Sequence, residues 1–220
     1  MKFFFKILFI AAVISASNNY SIAQLVITSQ SNAQALAQKL VGNGVTISNA
    51  ILTSAADATG FFNNVSGAKL NIDSGIVLTN GRAKTLGSDW GLDGNGITTA
   101  AMALADTYNQ LPGDGDIARQ LGIPVTNTFD ATILEFDFVP LGDSIKFRYV
   151  FSSEEYTPPY VCNFNDAFAF FISGPGIAGG VKNIALVPNT NTPVSIFNVN
   201  DVPGGACPNN RAYYVDNITN

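Results

Sequence analysis

The chain has 220 residues, a formal net charge of −5 and no histidine, and only 12% of its residues are charged, about half the usual share in a soluble domain. The missing histidine removes Ser-His-Asp and Cys-His mechanisms, His-bound zinc and imidazole acid–base chemistry together. The acidic balance repels nucleic acid and anionic lipid, so neither is expected as a partner.

Met1, Lys2 and Lys6 precede an apolar run over residues 7–14, and the stretch closes on Ser21-Ile22-Ala23 before Gln24. That order predicts a secretory signal peptide over residues 1–23. A membrane anchor needs roughly 20 uninterrupted apolar residues, more than this run holds, so no transmembrane helix is expected. Two of the 11 basic residues leave with the leader, and the 16 acids stay. Residues 24–220 fit a single domain with no linker inside it.

The first predicted element is a helix over residues 32–41 in "SNAQALAQKLVGNG". Asn32 or Ser31 can cap it, Leu36 and Leu40 share a face, and Gly42 can stop it with a positive φ. "VTISNAIL" and "NIDSGIVLTNG" then read as strands between Gly and Asn punctuation. The alanine-rich stretch 98–108 suggests a second helix, and residues 116–121 a brief helical turn that Gly122 ends.

In "TILEFDFVPLGDSIKFRYVF" two alternating runs predict a hairpin folded about Leu141-Gly142. Phe138 would meet Ile145, Phe136 would meet Phe147 and Leu134 would meet Tyr149. On the opposite face Asp137 would pair with Lys146 and Glu135 with Arg148. The stretch 167–172 is apolar on both sides, with Phe168, Phe170 and Ile172 on one face, and predicts a central strand. Further strands are expected over 183–187, 194–199 and 213–215. The expected fold class is all-β: an antiparallel β-sandwich of jelly-roll or lectin-like type, with one short N-terminal helix and one or two further short helices.

Cys162 and Cys207 are the only cysteines, and in an exported chain such a pair predicts a disulfide, with two buried thiols as the alternative. Closing that loop would stabilise the fold by ~4 kcal/mol on a chain-entropy argument.

Acids and amides gather in "SSEEYTPPYVCNFND", where Glu154, Glu155, Asn163, Asn165 and Asp166 offer oxygen ligands. Calcium suits such donors, and Glu154, Glu155, Asn165 and Asp166 are its candidate ligands. Two smaller clusters, Asp89, Asp93 and Asn95 in "SDWGLDGNG" and Asp114 with Asp116 in "PGDGD", raise the same question. None has EF-hand spacing, and Asx-turns explain Asp and Asn beside Gly equally well. Carboxylate glycoside hydrolysis needs two acids facing across a cleft. Glu154 and Glu155 cannot be that pair within one strand, because neighbours point to opposite faces. Trp90, the only tryptophan, would stack on a sugar or anchor a partner if exposed, and would plug the sandwich if buried.

The segments "GNGVTISNAIL", "DSGIVLTNG", "ATILEFDFVPLGDSIKFRYVFSSEEY", "FNDAFAFFISGPG", "NIALVPNTNTPVSIFNVN" and "YYVDN" resemble, in that order, the bacterial choice-of-anchor L domain. Ser-Glu-Glu-Tyr followed by Phe-Asn-Asp carries most of the resemblance. It implies a secreted or surface-displayed module and carries no catalytic residues across; the expected partner is an extracellular or cell-surface protein or a glycan. Similar domains continue past "YYVDN", which sets the expectation of a C-terminally incomplete domain here. "NDAFAFFISGPG" alone is similar to a strand of legume-type lectins, where an aspartate lies at the sugar site near calcium. Asp166 occupies that position, with Ala167 in place of glycine. The reading is therefore a non-catalytic adhesion or display module, with a calcium-dependent carbohydrate-binding domain and a carboxylate glycosidase as alternatives.

Overall fold

The computed structural model describes residues 25–64, 70–84, 109–156, 159–202, 207 and 209–216. The expected leader and the helix over 98–108 lie outside them. Among the described residues the elements run β1 (Leu25–Ser29), α1 (Ala33–Val41), β2 (Val45–Thr53), β3 (Thr59–Asn64), β4 (Ser74–Leu78), α2 (Gly115–Leu121) and β5 (Ile133–Pro140). Four short strands follow: β6 (Ala167–Phe168), β7 (Phe171–Ser173), β8 (Val181–Asn183) and β9 (Val194–Ser195). Every ladder is antiparallel, in the order β1-β3-β4 for one sheet and β2-β5, β6-β9 and β7-β8 for three pairs. The chain is all-β, with two short helices among the described residues, the class its sequence predicts.

Helix α1 forms where its caps place it. The Asn32 side chain accepts from Ala35 N at 2.8 Å, and Gly42 closes the helix at φ 72°. Leu36 and Ala37 are fully buried, and α1 packs on β4 of one sheet and on β2 and β5 of the other. Between β2 and β5, Ser48 faces Asp137 and Ile51 faces Glu135, so β2 carries one extra residue. Asn49 takes the positive φ of that bulge, 54°, and donates to Asp137 Oδ2 at 2.7 Å. Asn tolerates this conformation better than most residues.

The predicted hairpin about Leu141-Gly142 is corrected. β5 ladders with β2, and residues 144–150 hold no ladder position. Their aromatic face turns elsewhere: Phe147 lies 4.4 Å from Phe170 and Tyr149 5.0 Å from Phe168, ring centre to ring centre. Arg148 donates to the Asn71 carbonyl, while Asp137 is taken by Asn49. Local complementarity was real, but β2 offers β5 a partner that also carries the α1 interface.

The central strand over 167–172 is also corrected. It divides into β6, paired with β9, and β7, paired with β8. Phe168 and Phe170 do share a face, because both meet the aromatics of 147–149. Between the two ladders the Asn183 side chain intervenes, its Oδ1 accepting from Phe170 N at 3.1 Å and from Ala185 N at 2.9 Å. Past Ser195 the chain turns, so the predicted strand over 194–199 stops there, and Arg211–Tyr213 is a 3-10 turn where 213–215 was expected as strand. Asn side chains again take the backbone groups: Asn198 Nδ2 donates to Pro193 O at 2.9 Å, and the wholly buried Asn200 donates to Ile196 O and Phe197 O, each at 3.0 Å.

Asn183→Ala removes the acceptor of two backbone N–H groups while leaving both in place. Such a loss costs about 1–3 kcal/mol, and urea unfolding followed by circular dichroism should show a correspondingly lower midpoint.

Candidate functional site

The chain between the aromatic run and β6, residues 152–166, is fastened at three points. Its start coils into a 3-10 turn at Glu154–Tyr156, and Glu155 N donates to Ser153 Oγ at 3.1 Å. The same hydroxyl donates to Asp166 Oδ2 at 2.7 Å, closing the loop upon itself. Asn80, just past β4, donates from Nδ2 to Asp166 Oδ1 at 3.0 Å. The Asp166 carbonyl accepts from Ile196 N at 3.0 Å, so this one residue joins three parts of the chain.

The disulfide forms the second fastening. Cys162 and Cys207 are bonded, with their Cα atoms 5.5 Å apart. Cys162 sits at φ 71°, a region costing a non-glycine residue about 1–3 kcal/mol. Asn200 Nδ2 lies 3.3 Å from Cys207 Sγ, so the buried amide backs the bridge. Asn165 makes the third, its Oδ1 accepting from Phe197 N at 3.0 Å.

Asp166 has a donor on each oxygen, Asn165 is directed at the Phe197 amide, and Glu154 and Glu155 lie in the 3-10 turn. Among the described residues no group of three or more Asp, Glu, Cys or His side chains is arranged to hold a metal. Asp114 caps α2, accepting from Asp116 N and Ile117 N, and Asp116 pairs with Arg119 at 2.6 Å. Trp90, Asp89, Asp93 and Asn95 lie outside the described residues.

Sequence reasoning did not single out Ser153, Asn80 or the pair at the loop tip. Ser153, two residues before Glu155, carries the pattern of a serine turn. Asn80 has no local signal, being 86 residues from its partner. At the tip Asn163 Nδ2 donates to Pro159 O at 2.6 Å and Phe164 N to Tyr160 O at 3.1 Å. This turn holds the Tyr160 and Phe164 rings 6.1 Å apart, and they are 38% and 53% exposed. At the base Tyr156 lies between Phe151 and Tyr214, at 6.4 and 5.1 Å. Burial first, then the neighbouring Tyr214 and Asp166, push its phenol well above the ordinary tyrosine range.

Elsewhere, a cleft of about 270 Å³ is bordered by Ser29, Gln30, Ser31, Ala56, Asp57 and Thr59. Asp57 is the one acid among these, and it lies 3.6 Å from Arg82. Hydrolysis by paired carboxylates would need a second acid facing it.

No helix of the described residues is long and apolar enough to cross a membrane. A family model described as the Choice-of-anchor L domain matches residues 19–220. No curated protein and no solved structure matches.

Asp166→Ala should cost about 1.5–3 kcal/mol, the range for hydrogen bonds to a charged acceptor, measured by chemical unfolding. A loop held by these bonds alone melts at the same temperature with and without EDTA. A calcium-held loop loses stability on chelation, and Asp166→Ala abolishes that difference. Tyr156 makes a separate prediction. Its raised folded pKa means that its stabilising contribution is complete below about pH 10, the ordinary tyrosine value, and is lost as pH rises from there through the folded value. Melting temperature should fall above that pH, and Tyr156→Phe should flatten the fall.

Proposed function

The chain belongs to the choice-of-anchor L family, and on that premise we propose that it is a non-catalytic adhesion or display module of the bacterial cell surface. Membership implies a surface or secreted protein of bacteria. The finer reading of adhesion rests on one observation: two exposed aromatic rings on a turn held by a disulfide and by its own hydrogen bonds. Tyr160 and Phe164 flank Cys162, whose disulfide and hydrogen-bonded neighbours fix the turn before any partner arrives. Aromatics held this way offer contact area at little cost in conformational entropy, which is why they dominate binding energy at interfaces. The partner is an extracellular protein or a glycan, whose sugar faces stack on such rings.

The proposal extends to export. Residues 1–23 act as a cleaved leader, and the family match begins at residue 19, inside that stretch. Oxidation of Cys162 with Cys207 agrees with an exported location.

The test is binding of the purified chain to cell surfaces, to a glycan array and to extracellular-matrix proteins, each with calcium and with EDTA. Tyr160→Ala with Phe164→Ala should lower affinity at least tenfold, about 1.4 kcal/mol, without moving the melting temperature. Binding that disappears with EDTA assigns the site to calcium-dependent sugar recognition. Turnover of a polysaccharide overturns the non-catalytic reading, and binding indifferent to the double substitution overturns the aromatic tip.

A further inference from the structure

Asn80 is followed by Gly81 and lies in irregular backbone just past β4, with its side chain exposed to solvent. Asn-Gly is the dipeptide most open to self-attack, because glycine has no Cβ to block the approach of its own nitrogen. We propose that Asn80-Gly81 is a site of slow spontaneous deamidation, and that its product opens the fastening of the 152–166 loop.

The chemistry needs only water. The Gly81 nitrogen attacks Asn80 Cγ, its proton leaves with the carboxamide nitrogen as ammonia, and water opens the cyclic imide to aspartate or isoaspartate. Either product replaces an N–H donor with a carboxylate. That carboxylate faces Asp166 Oδ1, which accepted the lost hydrogen bond at 3.0 Å. The Ser153 hydroxyl stays on Asp166 Oδ2, Oδ1 is left facing a second acceptor-only group, and like charges at hydrogen-bonding distance repel. Isoaspartate also lengthens the backbone where Asn109 Nδ2 donates to the Asn80 carbonyl at 2.6 Å.

The native contacts set the rate. The Asn80 amide is held by Asp166, and the attacking Gly81 N–H is occupied by Thr79 Oγ1 at 3.1 Å. Both bonds must open before the imide closes, so the reaction reports loosening of the loop and then makes it permanent. Asn43-Gly44, in the exposed 3-10 turn Gly42–Gly44 after α1, supplies an internal standard.

The experiment is prolonged incubation of the full chain in warm, mildly alkaline buffer, with peptide mapping by mass spectrometry. Asn43 should convert first and Asn80 more slowly. Asp166→Ala should speed conversion at Asn80 severalfold and leave Asn43 unchanged. Ser153→Ala, which frees one side of the carboxylate, should act in the same direction if Asp166→Ala folds poorly. Asn80→Asp, which mimics one product, should lower the melting temperature. Asn80→Asp combined with Asp166→Asn should restore it by exchanging donor and acceptor. The proposal fails if Asn80 stays intact after Asn43 is fully converted, if its rate ignores both loop substitutions, or if the exchanged pair melts no higher than Asn80→Asp alone.

Discussion

A backbone amide buried without a strand partner must find another acceptor, and in this chain side-chain carbonyls supply it. Asp130, almost wholly buried at 7% exposure, accepts from Asn109 N and Leu111 N, at 3.0 and 2.7 Å. Asn183 serves Phe170 and Ala185, Asn200 Oδ1 accepts from Val202 N, and Asn165 serves Phe197. Past β5 the strands among the described residues are only two or three residues long, so ladder bonds alone cannot satisfy this part of the chain. Its core is correspondingly small-grained: Ala185, Val187, Val194 and Ile196 are buried beside the buried amides and Cys207.

This arrangement explains which parts of the fold are legible in the sequence. Helix α1 is readable because its signals are local: a capping Asn32, a buried face at Leu36 and a stop at Gly42. The ends of α2, β2 and β4 are readable for the same reason. The partner of β5 is not, because Phe136 and Phe138 fit Phe147 and Ile145 in sequence as well as they fit the β2 face in space. Nor is the division of 167–172 readable, since an apolar run says nothing of an Asn side chain arriving from residue 183. β1 and β3 are not readable either: their alternation is short, and β3 takes its place between β1 and β4 only in the fold.

The candidate site divides along the same line. Its span and its disulfide follow from the cysteine pair and the Asn-x-Asn-Asp cluster. Its closure depends on Asn80, which only the fold brings to Asp166. Of the acids that suggested metal ligation, those among the described residues lie in a 3-10 turn, at a helix start and in a hydrogen-bonded carboxylate. What emerges is a loop whose tip is ordered by its base: the Asp166 carboxylate and the bridge to Cys207 fix the turn on which Tyr160 and Phe164 stand. Preorganisation of that kind is what a contact surface needs.

Amide hydrogen exchange tests the central claim most directly, because it reads each backbone N–H separately. The amides of Phe170, Ala185, Leu111 and Phe197, which bond only to side chains here, should exchange as slowly as those of the β1-β3-β4 ladder. In Asn165→Ala, protection should be lost at Phe197 and kept at Phe170 and Ala185. Exchange of these amides at the unprotected rate in the native chain would contradict the account.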